Sequence, residues 1–257
     1  SLGYHIPGKK IVINLAPADM HKSGGGYDVP IALGIITASG QVELPGLRKY
    51  LIMGELGLDG SVREVSGALP FADLARERGL EGCILPLESA LEVTECDELS
   101  VFAVQSLSDV LRILQEEEDC SDLLIWNTER YRSLVAGEAD SPSGTGAGGV
   151  DFSEIIGQEG AKRGAEIACA GGHNLIMVGP PGSGKSSLAK AMAGILPPMT
   201  TDEAIVTSKI YSVAGLKRNG LGLIRQRPFR SPHYSASLPA IIGGGAGADI
   251  RPGEVTL

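Results

Sequence analysis

Gly179, Gly184, Lys185 and Ser186 fit the spacing G-x-x-x-x-G-K-[ST] within HNLIMVGPPGSGKSSLAKAM, residues 173–192. Glycines at those points let successive backbone N–H groups turn inward around an anion, and the N-terminus of a following helix adds favourable partial charge. Lys185 would then reach the β- and γ-phosphates of a nucleotide, and the Ser186 hydroxyl would ligate Mg²⁺. ATP and Mg²⁺ are the expected cofactors, Lys185 the expected catalytic side chain and Ser186 the expected metal ligand. Gly179, Pro180, Pro181, Gly182, Ser183, Gly184, Lys185, Ser186 and Ser187 together form the candidate binding loop.

Such a loop needs a strand to enter it and a helix to leave it. NLIMV, residues 174–178, is apolar enough to be that strand, and SSLAKAMAGIL, residues 186–196, has the composition of the helix. Hydrolysis also needs an acidic strand end, a group that positions water and usually an arginine finger. No apolar strand ending in Asp-Glu follows Ser186 before Leu257. The chain is therefore expected to bind ATP without efficient turnover, as a trimmed piece of a larger ATPase that also opens without Met.

With 257 residues, 43% hydrophobic and 21% charged, the chain can bury a sizeable core in one or two domains. No apolar run approaches the ~20 residues of a membrane span, and SLGYHIPGKK lacks a secretory signal. Cys83, Cys96, Cys120 and Cys169 stand far apart, and the four histidines show no metal-ligand spacing. Reduced thiols in a cytoplasmic protein are the simplest reading. The net charge of −9 hides an asymmetry: residues 1–150 hold 11 Lys and Arg against 23 Asp and Glu, residues 151–257 hold 11 against 8. Opposite signs predict different tasks for the two halves.

Residues 119–150 are expected to be an acidic and then Gly/Ser-rich linker, too polar to offset its ordering entropy. LLIWNTERYRSLV within it remains ambiguous; it holds the only Trp and could be a short docking helix. Residues 1–118 alternate strands and helices. KKIVINL predicts a strand with Ile11, Ile13 and Leu15 on one face. DVPIALGIITASG predicts a helix with Asp28 near its start, Pro30 in the first turn and Gly40 past its end. YLIMGELGLDGSVREV predicts a hairpin turning at Asp59-Gly60. A helix stopped by Gly79, the strands GCILP and SVFAV, and the helix LSDVLRILQ complete an α/β domain.

VDFSEIIGQEGAKRGAEIACAGG, residues 150–172, resembles the segment of AAA+ ATPases that precedes the P-loop strand. That resemblance implies that Ile155, Ile156 and Gly157 lie against adenine; ordinary core is the other reading of the two isoleucines. RPFRSPHYSASLPAIIGGGAGADIRPGEVTL and INLAPADMHKSGGGYDVPIALGIITASG resemble the Mg-chelatase-like AAA+ proteins of the ComM/YifB group. The resemblance spans nearly the whole chain except residues 118–149. It implies a Lon-protease-like α/β domain over residues 1–118, followed at 151–257 by the first part of a P-loop AAA+ parallel-sheet domain. It also implies self-association into a ring, expected to be a hexamer. In Lon a Ser nucleophile pairs with a Lys base. By resemblance the Lys position falls on Leu69 and the Ser position on Asp28, or on Tyr27 with a one-residue slip. Neither can serve, and the adjacent pair Lys22-Ser23 does not rebuild the dyad, so no peptidase activity is expected.

Residues 204–248 contain no Asp or Glu but hold Lys209, Lys217, Arg218, Arg225, Arg227 and Arg230. A polyanion suits such a surface, because Lys and Arg displace counterions from phosphates. Lys217, Arg218, Arg225, Arg227 and Arg230 are the candidate DNA contacts; a ring interface or a solvated loop are the other readings. Phe229, His233 and Tyr234 are expected to pack beneath the segment rather than stack on bases. The leading expectation is an ATP-driven motor on single-stranded or branched DNA, of the helicase or branch-migration type that the resemblance ties to natural transformation or recombination. A magnesium-chelatase-type motor subunit that remodels a protein partner for metal insertion ranks second, because by resemblance those subunits lack a Lon-like front domain. A nucleotide-sensing assembly module is third.

Overall fold

A computed structural model describes residues 3–8, 10–15, 24–94, 99–139, 150–216, 221–245 and 250–257. Its centre is a parallel sheet of three strands in the order β1-β4-β5, where β1 is Tyr50–Ile52, β4 is Gly82–Pro86 and β5 is Ser100–Val104. Tyr50 pairs with Gly82 and Ile52 with Ile84; Cys83 pairs with Val101 and Leu85 with Ala103. All five residues of β4 are buried, the mark of a parallel strand covered on both faces. Its first residue must be glycine, since a Cβ there would meet the Ser100 carbonyl oxygen at 2.0 Å.

Alternation along β4 and β5 sorts side chains into two layers. Cys83, Leu85, Val101 and Ala103 pack with Ala68, Ala72 and Ala75 of α2 (Ala68–Glu77) and with Ala90 of α3 (Leu87–Ala90). Ile84 and Val104 pack with Val29, Leu33 and Ile36 of α1 (Asp28–Ala38) and with Val110, Leu111 and Leu114 of α4 (Leu107–Gln115). Helix α4 begins on a capping box: Ser106 Oγ accepts the Asp109 N–H and the Asp109 carboxylate accepts the Ser106 N–H. Gly40 and Gly79 take the positive φ that ends α1 and α2. The expected hairpin forms as β2 (Glu55–Leu56) against β3 (Val62–Arg63), with Gly60 at φ 87°, but it is shorter than the sequence suggested. Tyr50–Ile52 leaves it to join the parallel sheet.

Two expected strands are absent. Residues 10–15 form no strand, and Val12 and Ile13 are exposed. Residues 174–178 are likewise extended without being a strand, with Ile176 88% and Val178 93% exposed. A strand is defined by a ladder of interstrand hydrogen bonds, and among the described residues neither segment belongs to one. Apolar pattern alone does not supply the partner.

The stretch grouped with the linker is folded through residue 139. Two 3-10 turns, Ser121–Leu123 and Ile125–Asn127, lead into α5 (Glu129–Ala139). Ile125 is wholly buried, and Trp126 packs edge-on to Tyr131 at 5.8 Å against the core beside Leu85 and Val101. The acidic run is held as well: Arg112 grips Asp122 with two hydrogen bonds and pairs with Glu118, while Glu116 pairs with Lys49 at 2.7 Å. Residues 140–149, the Gly/Ser part, lie outside the described residues, as does Cys96.

Downstream come α6 (Glu159–Gly171), α7 (Lys185–Ile195), α8 (Thr201–Val213) and the short α9 (Leu238–Ile242). Ala165, Ala168 and Cys169 of α6 and Leu188 and Ala191 of α7 are buried where the two helices meet, and burial pushes the Cys169 thiol pKa up. Helix α8 packs on α2 of the front unit. No described helix is long and apolar enough to cross a membrane, and no metal-holding cluster exists among the described residues.

Candidate nucleotide-binding site

Gly182 and Gly184 take φ 79° and 81°, conformations that L side chains rarely adopt, and they wind residues 179–184 into a turn ahead of α7. Gly184 is the residue before the helix and brings no capping side chain. The first-turn N–H groups of α7 therefore face outward, available to an anion. Lys185 folds back over the turn: Nζ donates to the carbonyls of Gly179 at 2.9 Å and Pro180 at 2.7 Å and to Ser183 Oγ at 3.1 Å. An ammonium held at a glycine-rich turn before a helix start can meet the oxygens of a phosphate tail. Ser186 and Ser187 are exposed on the first turn of α7, where a hydroxyl can reach a metal ion bound beside such a tail.

A cleft of about 390 Å³ opens against the loop, walled by Leu175, Ile176, Met177, Gly179, Pro180, Ser183, Lys185 and Leu188, and by Gln158, Ala161 and Gly164 from the other side. Gln158 Nε2 donates to the Ser183 carbonyl at 2.6 Å. The adenine candidates stand less close. Ile156 is 94% exposed, Ile155 is half-buried, Gly157 has φ 71°, and none of the three lines this cleft. The core reading fails for Ile156. Gln158 itself, not singled out in the sequence, makes the contact; it is one of two described non-glycine residues with positive φ, at 55°. The only signal for it was its place after Ile-Gly.

The acid-free segment finds its counter-charges at and beyond its borders. Arg227 donates to Glu203 at 2.8 Å and to the Pro197 carbonyl at 2.8 Å. Arg230 grips Glu254 with two bonds of 2.6 and 2.7 Å. Lys209 pairs with Asp73 of α2. Arg227 and Arg230 therefore each carry an ion pair within the chain. The physical reason is that a run without acids still folds against acids elsewhere. Backbone hydrogen bonding at Thr200 and the Arg227 guanidinium hold the Glu203 carboxyl below its ordinary range, and Arg230 does the same for Glu254. Arg225 is exposed, and Lys217 and Arg218 lie outside the described residues. His233 and Tyr234 do not pack beneath the segment: Tyr234 is 95% exposed, with the His233 ring 4.3 Å away, and only Phe229 is half-buried.

At the front unit, Asp28 opens α1 and its Oδ2 accepts the Leu56 N–H at 3.4 Å. Leu69 is buried against Ala204 and Leu223. The two positions thus serve structure, and Lys22 and Ser23 lie outside the described residues.

Comparison with known proteins bears on both halves. A family model described as magnesium chelatase, subunit ChlI, matches residues 151–257, and one described as subunit ChlI of Mg-chelatase matches residues 1–89. The chain is 42% identical over 259 residues to YifB of Salmonella typhimurium, 41% over 256 residues to the competence protein ComM of Haemophilus influenzae, and 39% over 257 residues to YifB of Escherichia coli. Each alignment covers 99% of this chain and 47% of the relative, so the chain spans about half the length of these proteins.

Proposed function

The chain belongs to the magnesium-chelatase-like AAA+ family that includes ComM and YifB, and from that membership we propose that it is the ATP-binding part of a motor acting on DNA. The observation that carries the nucleotide reading is the Lys185 ammonium held by loop carbonyls at the uncapped start of α7. Mg·ATP would exchange those carbonyl bonds for phosphate oxygens, with the N–H groups of residues 182–186 around the β-phosphate and Ser186 on the metal ion. Gln158 and residues 175–178 would flank the nucleoside. Turnover, a ring of subunits and a cytoplasmic setting complete the proposal for the whole protein.

The DNA reading is supported by the relative named as a competence protein and by the basic, acid-free segment. We assign Lys217, Arg218, Arg225, Arg227 and Arg230 as the phosphate contacts, with Arg227 and Arg230 also holding their segment through Glu203 and Glu254. Phosphate contacts make binding fall steeply with salt. A chelatase-type motor that remodels a protein partner is the second reading, supported by the descriptions of both family models. ATPase activity of the whole protein, measured with and without single-stranded and forked DNA, tests the first reading. Stimulation by DNA, lost with Lys217→Glu plus Arg218→Glu at unchanged ATP affinity, is expected. Absence of any DNA effect on turnover or binding would overturn it.

A further inference from the structure

On α8, Ala204, Ser208 and Ser212 follow one another at intervals of four and are buried to 2%, 0% and 2% exposure. A helix shows one face at that spacing, and that face is turned to the front unit. Ala204 meets Leu69 at the start of α2, together with Leu223, Met199 and Ile205. Lys209 pairs with Asp73, one turn along α2. The Ser212 hydroxyl donates to Glu92, and the Ser212 carbonyl accepts the Gly67 N–H at 3.0 Å.

The same seam gathers the chain in the middle of the basic segment. Leu221 packs on the front-unit core, the Gly222 N–H donates to the Leu91 carbonyl at 3.3 Å, and the Ile224 N–H donates to Ser208 Oγ at 2.7 Å. Residues 221–224 thus lie between α8 and the front unit, with partners on both. Beyond them Arg227 is tied to Glu203 and to the Pro197 carbonyl, in the link between α7 and α8.

We infer that the front unit is a positioning module: α2 seats α8 and residues 221–224, and so fixes the middle of the basic segment, between Arg218 and Arg225, relative to the helix that follows the nucleotide loop. Leu69 is the apolar knob of that seat and the Lys209–Asp73 pair sets its register. A seat that buries polar groups only in hydrogen-bonded pairs holds one geometry, because sliding would leave those groups unsatisfied. The docking stands on geometry alone; its consequence for strand capture rests on the DNA reading above.

Hydrogen exchange by mass spectrometry on the whole chain tests the docking. In Lys209→Glu, which sets two carboxylates against each other at a partly exposed site, peptides covering residues 221–224 are expected to exchange about tenfold faster, a local opening rather than global unfolding. Peptides covering β4 and residues 179–188 should be unchanged, and Mg·ATP affinity should stay within about twofold. Adding Asp73→Lys should restore protection. Leu69→Glu should open the same peptides; if it also exposes β4, the Lys209→Glu result decides. Unchanged exchange at 221–224 in Lys209→Glu would overturn the inference. With the seam open, DNA affinity of the whole protein should fall about tenfold; equal affinity would overturn the positioning role. Wild-type protein that binds no DNA would instead defeat the DNA reading and leave the exchange result to decide the docking.

Discussion

Gln158 donates from Nε2 to the main-chain carbonyl of Ser183, 2.6 Å away, and so fastens the turn before α6 to the middle of the glycine-rich loop. Both residues face the cleft beside the loop. A neutral hydrogen bond of this kind contributes about 0.5–1.5 kcal/mol. Gln158→Ala should therefore weaken Mg·ATP binding roughly twofold to tenfold, read by calorimetric titration, with no change in the far-ultraviolet circular dichroism spectrum. Unaltered affinity would remove Gln158 from the site.

On the proposed reading, Lys185 answers to phosphate charge and Ser186 to the metal ion. Lys185→Ala removes the ammonium that spans the loop and should abolish ATP binding at sub-millimolar concentrations, since hydrogen bonds to charged groups contribute about 1.5–3 kcal/mol each. Ser186→Ala should leave metal-free ATP binding intact and weaken only the Mg²⁺-dependent part. Titrations with and without Mg²⁺ check both. A Ser186→Ala protein that keeps the full Mg²⁺ effect would contradict its place on the metal.

Acid should release the arm that carries Arg227 and Arg230. Glu203 and Glu254 have lowered pKa values in the fold, the first through backbone hydrogen bonding at Thr200 and then Arg227, the second through Arg230. A carboxylate lowered by folding stabilises the native arrangement fully above its unfolded value, about 4.3, and loses that contribution as pH falls through the folded value. Nuclear magnetic resonance of the Arg230 Nε–Hε group should show a single bonded environment from pH 7 to about pH 4.3 and a transition below it. A transition on raising the pH would carry the wrong sign.

Ile125 tests whether residues 121–127 belong to the front unit. It is fully buried in the core cluster with Leu85, Val93 and Val101. Ile125→Ala should cost about 2–5 kcal/mol, as a large-to-small change in a packed core does, seen as a lower midpoint in urea. A free tether would give no shift.

The nucleotide loop was legible because its information is local. Gly182, Gly184 and Lys185 fix backbone turn, helix start and charge within a few consecutive residues. Helices α1 and α2 were legible for the same reason, through a first-turn Pro30 and a stopping Gly79, and α4 through its composition, while its Ser106 cap came from the structure. Residues 10–15 and 174–178 form no strand because an alternating face in the first and an apolar run in the second say nothing of a ladder partner. For residues 123–135 composition left tether and docking helix both open, and the burial of Ile125 and the packing of Trp126 decide for docking.

By itself the sequence determined where an anion can be held, since φ angles, a helix end and one ammonium are properties of neighbouring residues. Only the tertiary structure decided what becomes of the basic segment. Its arginines meet Glu203 and Glu254, each 24 residues away along the chain, and its residues 221–224 meet α8 and the front unit. Coulomb attraction and burial act through space, so the partner of a charge or of an apolar side chain such as Leu69 is fixed only once distant segments have packed together.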